Sequence, residues 1–284
     1  MWKRISCRLP QHLLEEGVQK MASTKKVKRI LNVIPSKDTE QDWGLDNALG
    51  AGMLTAPAAL PASKDLRETW WKIGDQGATG SCVGWGTGEG VLRWHFTKAG
   101  RIAKTDNLSP RFVWMAAKET DEFITRPTTF IESDGTSLKS ALDIARKFGV
   151  VKDSVLPFVS GKLYQGEVDT FYAIASQLKI AAYINMFKNL NQWRTWLATS
   201  GPILAALSVD KTWGDASLTN GKLDVFQPNT VRGGHCISIV GYKADGRFIV
   251  RNSWGTTWGD KGFGYATEAY IQAAFFNEAY GVNI

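Results

Sequence analysis

The fold turns on residues 74–90, GDQGATGSCVGWGTGEG, where seven glycines surround a single cysteine, Cys82. Two chemistries use such a stretch: a glycine loop that cradles phosphate, or a thiol nucleophile. A Walker loop ends in Gly-Lys-Ser/Thr, and none follows here. The dinucleotide fingerprint G-x-G-x-x-G fails too, because its third glycine falls on Glu89 counting from Gly84 and on Val91 counting from Gly86. Read as a helix with Ser81 as N-cap, the stretch places Gly80, Gly84 and Gly88 on one face and Gly86 and Gly90 on another. Each interior glycine costs about 1 kcal/mol relative to alanine. Neighbouring segments must therefore pack closely on this backbone, which predicts a central, buried helix. Cys82 then stands in the first turn, where free N–H groups and the macrodipole favour a thiolate. A small buried cysteine fits the same position, and the stretch by itself does not choose.

A cysteine nucleophile needs a base within hydrogen-bond reach, and the chain has three histidines. His12 lies in the N-terminal extension. His95 follows Cys82 along the same helix at a distance of about 20 Å, given a rise of ~1.5 Å per residue. His235 remains, at the start of the apolar run CISIVGY. Asn252 is the candidate to orient its ring, because residues 234–254, GHCISIVGYKADGRFIVRNSW, read as a hairpin turning at Lys243–Gly246. Pairing Tyr242 with Arg247 puts Asn252 diagonal to His235 on one face. A tighter Asp245-Gly246 turn moves Asn252 opposite Ile239, and the sequence leaves both registers open. Dispersed histidines without paired cysteines supply no metal-ligand set.

The 284 residues are 44% hydrophobic and 21% charged, as in a globular chain of one large domain or two lobes. No apolar run approaches the ~18 residues of a membrane span, and the charged N-terminus lacks a secretory pattern. Three cysteines, Cys7, Cys82 and Cys236, form no disulfide framework. They suit a reducing compartment, so a cytoplasmic location is expected. The net charge of +7 is clearest at Lys25, Lys26, Lys28 and Arg29. This cluster reads as a solvated tail, and no nucleic-acid or membrane partner is expected.

Three parts are expected. Residues 1–59 form an extension, of which 1–20 precede Met21, an alternative initiator to Met1. Residues of about 60–170 are helix-rich: Ser109-Pro110 opens one helix, and GTSLKSALDIARKFG gives another that stops at Gly149. From about 171 to 284 short aliphatic runs (LKIAAYINM, PILAALSVD, HCISIVGY, RFIVRNSW) read as strands, interrupted by one helix around NLNQWRTWLATSG. The class is α+β, a helical lobe followed by a mostly antiparallel lobe.

These residues resemble the papain-like cysteine peptidases. DQGATGSCVGWG is similar to the family's Gln-Gly-…-Gly-Ser-Cys segment, GGHCISIVGY to the segment of its catalytic histidine, and RNSWGTTWGDKGFGYA to its Asn-Ser-Trp-Gly-x-x-Trp-Gly segment. DGTSLKSALDIARKFGVVKDSVLPF and SGPILAALSV resemble further family segments, so the likeness runs from about residue 60 to the C-terminus. It implies a two-lobe fold, a helical lobe and an antiparallel β-barrel-like lobe with the cleft between them. It also implies a cofactor-free peptidase acting through a thiolate–imidazolium pair and an acyl-enzyme on peptide or protein substrates. In that scheme Cys82 is the nucleophile and His235 the base and then acid. Asn252 orients His235, Trp254 shields that contact, and Gln76 forms the oxyanion hole with the Cys82 N–H. Gly135, Thr136, Gly234 and Trp254 are expected at the substrate, with Ala205 and Ala206 as further candidates for pocket lining. Acyl transfer, small-amide hydrolysis and a non-catalytic scaffold share the same residues and stay open, as does the oligomeric state.

Several positions depart from the family pattern. Thr79 replaces a disulfide cysteine, Val83 a tryptophan, Thr136 the second glycine of a Gly-Gly pair, and Gly234 an Asp or Asn. The extension lacks the helical pattern of long propeptides. A structural arm is the favoured reading for it; a short inhibitory segment, a clamp across the back and a dispensable tail are the alternatives.

Overall fold

The computed structural model describes residues 27–55, 59–120, 132–159 and 166–284. Cys7, His12, both candidate initiators, Lys25 and Lys26 lie outside them. A helix α1 (Leu45–Gly50) precedes a short strand β1 (Lys64–Asp65). The glycine-rich stretch then forms the expected central helix, with a difference in its middle. It opens as α2 (Cys82–Gly84), widens to a π-helix over Trp85–Leu92 and closes as α3 (Arg93–Lys98). A π segment is rare and collects at functional sites; here alternate glycines bring no side chains to resist the wider turn. Ser81 does not cap the helix through its side chain. Its hydroxyl instead lies 2.6 Å from that of Thr79, inside the turn leading to Cys82.

The two glycine faces meet two different neighbours. Gly84 and Gly88 lie against Pro110, at the start of α4 (Pro110–Thr120). Gly86 and Gly90 lie against Cys236 and Ser238 of a long strand, β5 below. Helix α4 begins as expected, with Ser109 Oγ accepting the Phe112 N–H at 3.0 Å. Helix α5 (Leu138–Lys147) is capped by Ser137 and stops at Gly149, whose φ is +95°.

Two boundaries move. Helix α6 (Val168–Ala175) and a 3₁₀ turn (Ser176–Leu178) carry the helical side past residue 171. Phe171, Ala175 and Leu178 recur at helical spacing and pack in the helical cluster. Conversely, β1 joins the sheet, and Leu66 and Trp71 belong to the core on the far side of that sheet.

The remainder is β2 (Ala182–Asn185), α7 (Leu190–Thr199), β3 (Ile203–Val209), α8 (Lys211–Asp215), β4 (Lys222–Leu223), β5 (Gly233–Tyr242), β6 (Phe248–Arg251), β7 (Phe263–Ala266), α9 (Glu268–Ala274) and β8 (Phe275–Asn283). Helices α8 and α9 break the expected run of strands; α9 starts at Thr267, whose side chain accepts the Tyr270 N–H. One sheet runs β2-β8-β3-β5-β6-β7-β4, with β1 on β5, and it does not close into a barrel. Its pairs are antiparallel except β4 with β7. Strand β3 reads as a continuous apolar run because the sheet is covered on both faces. Ile203, Ala205 and Leu207 pack on one side, Leu204 and Ala206 on the other with Cys82 and Val83. Ala205 and Ala206 are therefore core residues and line no cleft.

The extension is docked onto this body. The Trp43 carbonyl accepts the Asn185 N–H at 2.8 Å, and Leu45 and Ala48 are buried in the core. Asp42 accepts from the Tyr280 hydroxyl at 2.8 Å and pairs with Lys139 at 2.6 Å.

Candidate active site

Cys82 is wholly buried at the start of the central helix, with its thiol against the Cys236 backbone N–H. His235 precedes Cys236 on β5. The hairpin brings Asn252 to its ring. Ser238 pairs with Arg251 and Ile239 with Val250, the register that carries Asn252 diagonal to His235. Nearer the turn the register slips by one, so Tyr242 pairs with Phe248 and not with Arg247. His235 Nε2 and Asn252 Oδ1 are 2.8 Å apart. The Ser253 N–H donates to the same Oδ1 at 2.8 Å, which marks that atom as an acceptor. Nε2 therefore carries the hydrogen, and Nδ1 keeps its lone pair. Nδ1 is buried without a hydrogen-bond partner.

Gln76 reaches the same place through a short ladder. Its N–H donates to the Ser253 carbonyl at 2.9 Å, and the Gly255 N–H donates to the Gly74 carbonyl at 3.0 Å. The Ser253 hydroxyl donates to Gln76 Oε1 at 2.7 Å, while Nε2 donates to the Thr79 carbonyl at 3.0 Å. An amide nitrogen has two hydrogens, so one is left for another acceptor. Ser253 thus holds both Asn252 and Gln76. It sits within the quoted Asn-Ser-Trp segment, yet nothing in its spacing distinguishes it from an ordinary strand-end serine.

Two indoles fix the imidazole. Trp254 lies 4.8 Å from its centroid at 33°, and Trp213 of α8 stands edge-on at 5.7 Å and 86°. Trp213 Nε1 donates to the Tyr270 hydroxyl at 2.9 Å, which donates to Asp210 Oδ1 at 2.6 Å. Trp213 carried no sequence signal, since its five-residue helix is too short to show a period. His95 lies on α3, buried and remote from this group, as the helix spacing required.

Dehydration dominates the electrostatics. Burial pushes the Cys82 thiol up to about 11, offset in part by backbone N–H groups of Cys236 and Val83. Burial lowers His235 to about 4; the Asn252 bond opposes this, and the Arg29 charge adds to it. Both shifts run toward the neutral thiol and the neutral imidazole, because loss of water disfavours either charged form.

The cover over the pair is the chain's own segment 29–36. The Val33 N–H donates to the Gly234 carbonyl at 3.3 Å and the Ile34 N–H to the Thr136 carbonyl at 3.1 Å. These acceptors come from opposite sides of the site. Asn32 lies against Gly135 and bonds the Ser133 carbonyl, and Arg29 contacts Trp254. All four positions expected at the substrate thus touch this segment. Val33 is buried in the apolar cluster that includes Cys82. Beyond it the Ser36 N–H donates to Glu278 Oε1 at 3.1 Å. Within the described part of the extension, residues 29–36 lie over the site and residues 42–48 dock on the body. Among the described residues no group of three or more His, Cys, Asp or Glu gathers as a metal site.

The family model for papain family cysteine proteases matches residues 60–278. The cathepsin B-like protein CP3 of Giardia intestinalis is 28% identical over 230 residues, 76% of this chain and 72% of that one. Its relative CP2 from the same organism is 26% identical over 268 residues, 82% and 81% of the two chains. Among solved structures, xylellain, a cysteine protease from Xylella fastidiosa, superposes with a TM-score of 0.72 at 21% identity, covering 91% of this chain and 98% of its own. With the family model spanning most of the chain, the protein belongs to the papain family and is a cysteine peptidase acting on peptide or protein substrates.

Proposed function

We propose that Cys82 and His235 are the catalytic pair, oriented by Asn252, and that segment 29–36 holds this chain in a latent form. The observation that carries the reading is the bond from His235 Nε2 to Asn252 Oδ1, which leaves Nδ1 as the free base beside the strand residue against which the Cys82 thiol rests. Once the cover leaves and water returns, the Cys82 proton passes to Nδ1 and the sulfur attacks the substrate carbonyl carbon. The carbonyl electrons move onto oxygen, where the free Gln76 amide hydrogen and the Cys82 N–H stabilise the charge; one such donor contributes about 2.7–4 kcal/mol. The C–N bond breaks, the leaving amine takes the proton from Nδ1, and a thioester remains. Water then gives its proton to Nδ1 and adds to the thioester carbon. Cys82 leaves as the thiol, and a free carboxylic acid departs. No cofactor enters these steps. The free thiols of Cys82 and Cys236, with Thr79 in place of a disulfide cysteine, support a reducing, cytoplasmic setting.

The test uses the full chain with Val33→Asp, which places a charge in the apolar cluster and expels the cover. Incubated with a denatured protein in ¹⁸O water, it is expected to create new C-termini carrying ¹⁸O, and the added Cys82→Ala change to abolish them. A folded Val33→Asp chain that cleaves nothing overturns the assignment.

A further inference from the structure

The cover ends at a guanidinium pocket that belongs to the body of the enzyme. Arg29 Nη1 pairs with the Asp75 carboxylate and donates to the Gly77 carbonyl at 3.0 Å. Nη2 donates to Asp75 Oδ2 at 3.3 Å and to the Trp254 carbonyl at 3.0 Å. The guanidinium carbon lies 5.8 Å from the centre of a Trp254 ring. The Arg29 side chain keeps 14% of its exposure, so the pocket nearly encloses it.

The walls do not depend on the cover. Asp75 bridges Trp254 in the ladder that positions Gln76, and Asp75 Oδ1 also accepts the Gly77 N–H at 2.8 Å. Gly77 and Gly255 turn the two segments away at φ +62° and +75°. A Cβ on Gly255 would come within 3.0 Å of Asp75 Oδ2, so glycine there keeps the carboxylate accessible. Three acceptor groups and a ring face suit a planar cation with forked donors. They suit a lysine ammonium less well and an anion not at all. The pocket also borders the chemistry: Asp75 precedes Gln76, and Trp254 stacks on His235. The leaving amine departs past His235, so a residue on the amine side of the broken bond passes this pocket.

We propose that Asp75, the Gly77 carbonyl and Trp254 form an arginine subsite, filled in the latent chain by Arg29 and in the working enzyme by an arginine of the substrate. The proposal rests on the assignment of Cys82 and His235 for its substrate half; its binding half does not need them. The same occupancy makes Arg29 the latch of the cover, and its charge beside His235 disfavours the imidazolium.

The test has two arms on the full chain. In the first, Arg29→Ala empties the pocket on a Cys82→Ala background, and Nα-acetyl-arginine amide is titrated against tryptophan fluorescence. Saturable binding is expected, at least about tenfold weaker with added Asp75→Asn and for the neutral citrulline analogue, the range of a charge-assisted bond. No binding, or binding indifferent to Asp75→Asn with near-UV circular dichroism unchanged, overturns the pocket. In the second arm, Arg29→Ala with Val33→Asp and Cys82 intact is profiled on a peptide mixture after titrating its reactive thiol. Arginine on the amine side is expected to be favoured about 10- to 100-fold over alanine, and Asp75→Asn to erase most of that preference. A thiol that never reacts refutes the catalytic assignment while the first arm still decides the pocket. A reactive enzyme without arginine preference refutes the substrate half.

Discussion

Replacing Gly86 by alanine tests whether the glycine stretch exists to let two neighbours approach one helix. A Cβ at Gly86 would lie 2.6 Å from Cys236 Sγ and 3.1 Å from Leu204 Cδ1, inside contact distance of two core side chains on adjacent strands. At Gly88 the nearest atoms are Val113 Cγ2 at 3.7 Å and Pro110 at 3.8 Å, ordinary contacts. Both positions lie in the same π segment, so the backbone gain of about 1 kcal/mol for Gly→Ala largely cancels between them. The difference is the overpacking at Gly86, typically about 1–3 kcal/mol. At about 2–4 °C per kcal/mol for a chain of this size class, Gly86→Ala should melt roughly 2–12 °C below Gly88→Ala. Differential scanning calorimetry of both variants at one pH measures this directly. Equal melting temperatures, or Gly88→Ala as the weaker protein, would refute the two-faced packing.

Other outcomes follow from the site. Asn252→Ala leaves the His235 Nε2–H and the Ser253 N–H buried without their acceptor, about 1–3 kcal/mol; kcat/KM on the uncovered Val33→Asp background should fall about 10- to 100-fold. Tyr270→Phe strips Trp213 Nε1 and Asp210 Oδ1 of their shared hydroxyl, and urea unfolding should show a loss of about 1–3 kcal/mol. His95 is held down to about 4 by burial, against an ordinary 6.5. The unfolded chain therefore takes up that proton first as pH falls. Stability from this residue is full above pH 6.5 and lost between 6.5 and 4, up to roughly 3 kcal/mol. Over that window His95→Leu should show a flatter dependence of unfolding free energy on pH, by up to one proton.

Legibility differed by element for physical reasons. The central helix was readable because glycine at four-residue spacing is expensive unless backbones meet, and His235 was the histidine left once His95 was excluded by distance and His12 by its place in the extension. The register of the β5–β6 hairpin was open because a bulge near Gly241 lets both ends be satisfied: the Lys243 N–H still bonds the Arg247 carbonyl at 2.8 Å, while Ser238 keeps Arg251. The π widening, helices α8 and α9 and the joining of β1 to β5 arise from tertiary contacts that leave no period in such short segments. The path of residues 29–36 was hidden for a different cause. Its anchoring uses mostly backbone groups, of Val33, Ile34 and Ser36, with the Asn32 amide and one ion pair, and backbone hydrogen bonds carry no side-chain pattern. Arg29 read as part of a solvated basic tail, and its partner Asp75 is 46 positions away.

The most direct measurement is the site of covalent capture by a thiol-directed peptidyl epoxide, mapped by peptide mass spectrometry on the full chain. Val33→Asp is expected to gain one adduct, on Cys82, much faster than the covered wild type, and to lose it with Cys82→Ala. Capture at Cys236 or Cys7, or none at all in a folded Val33→Asp chain, would contradict the account.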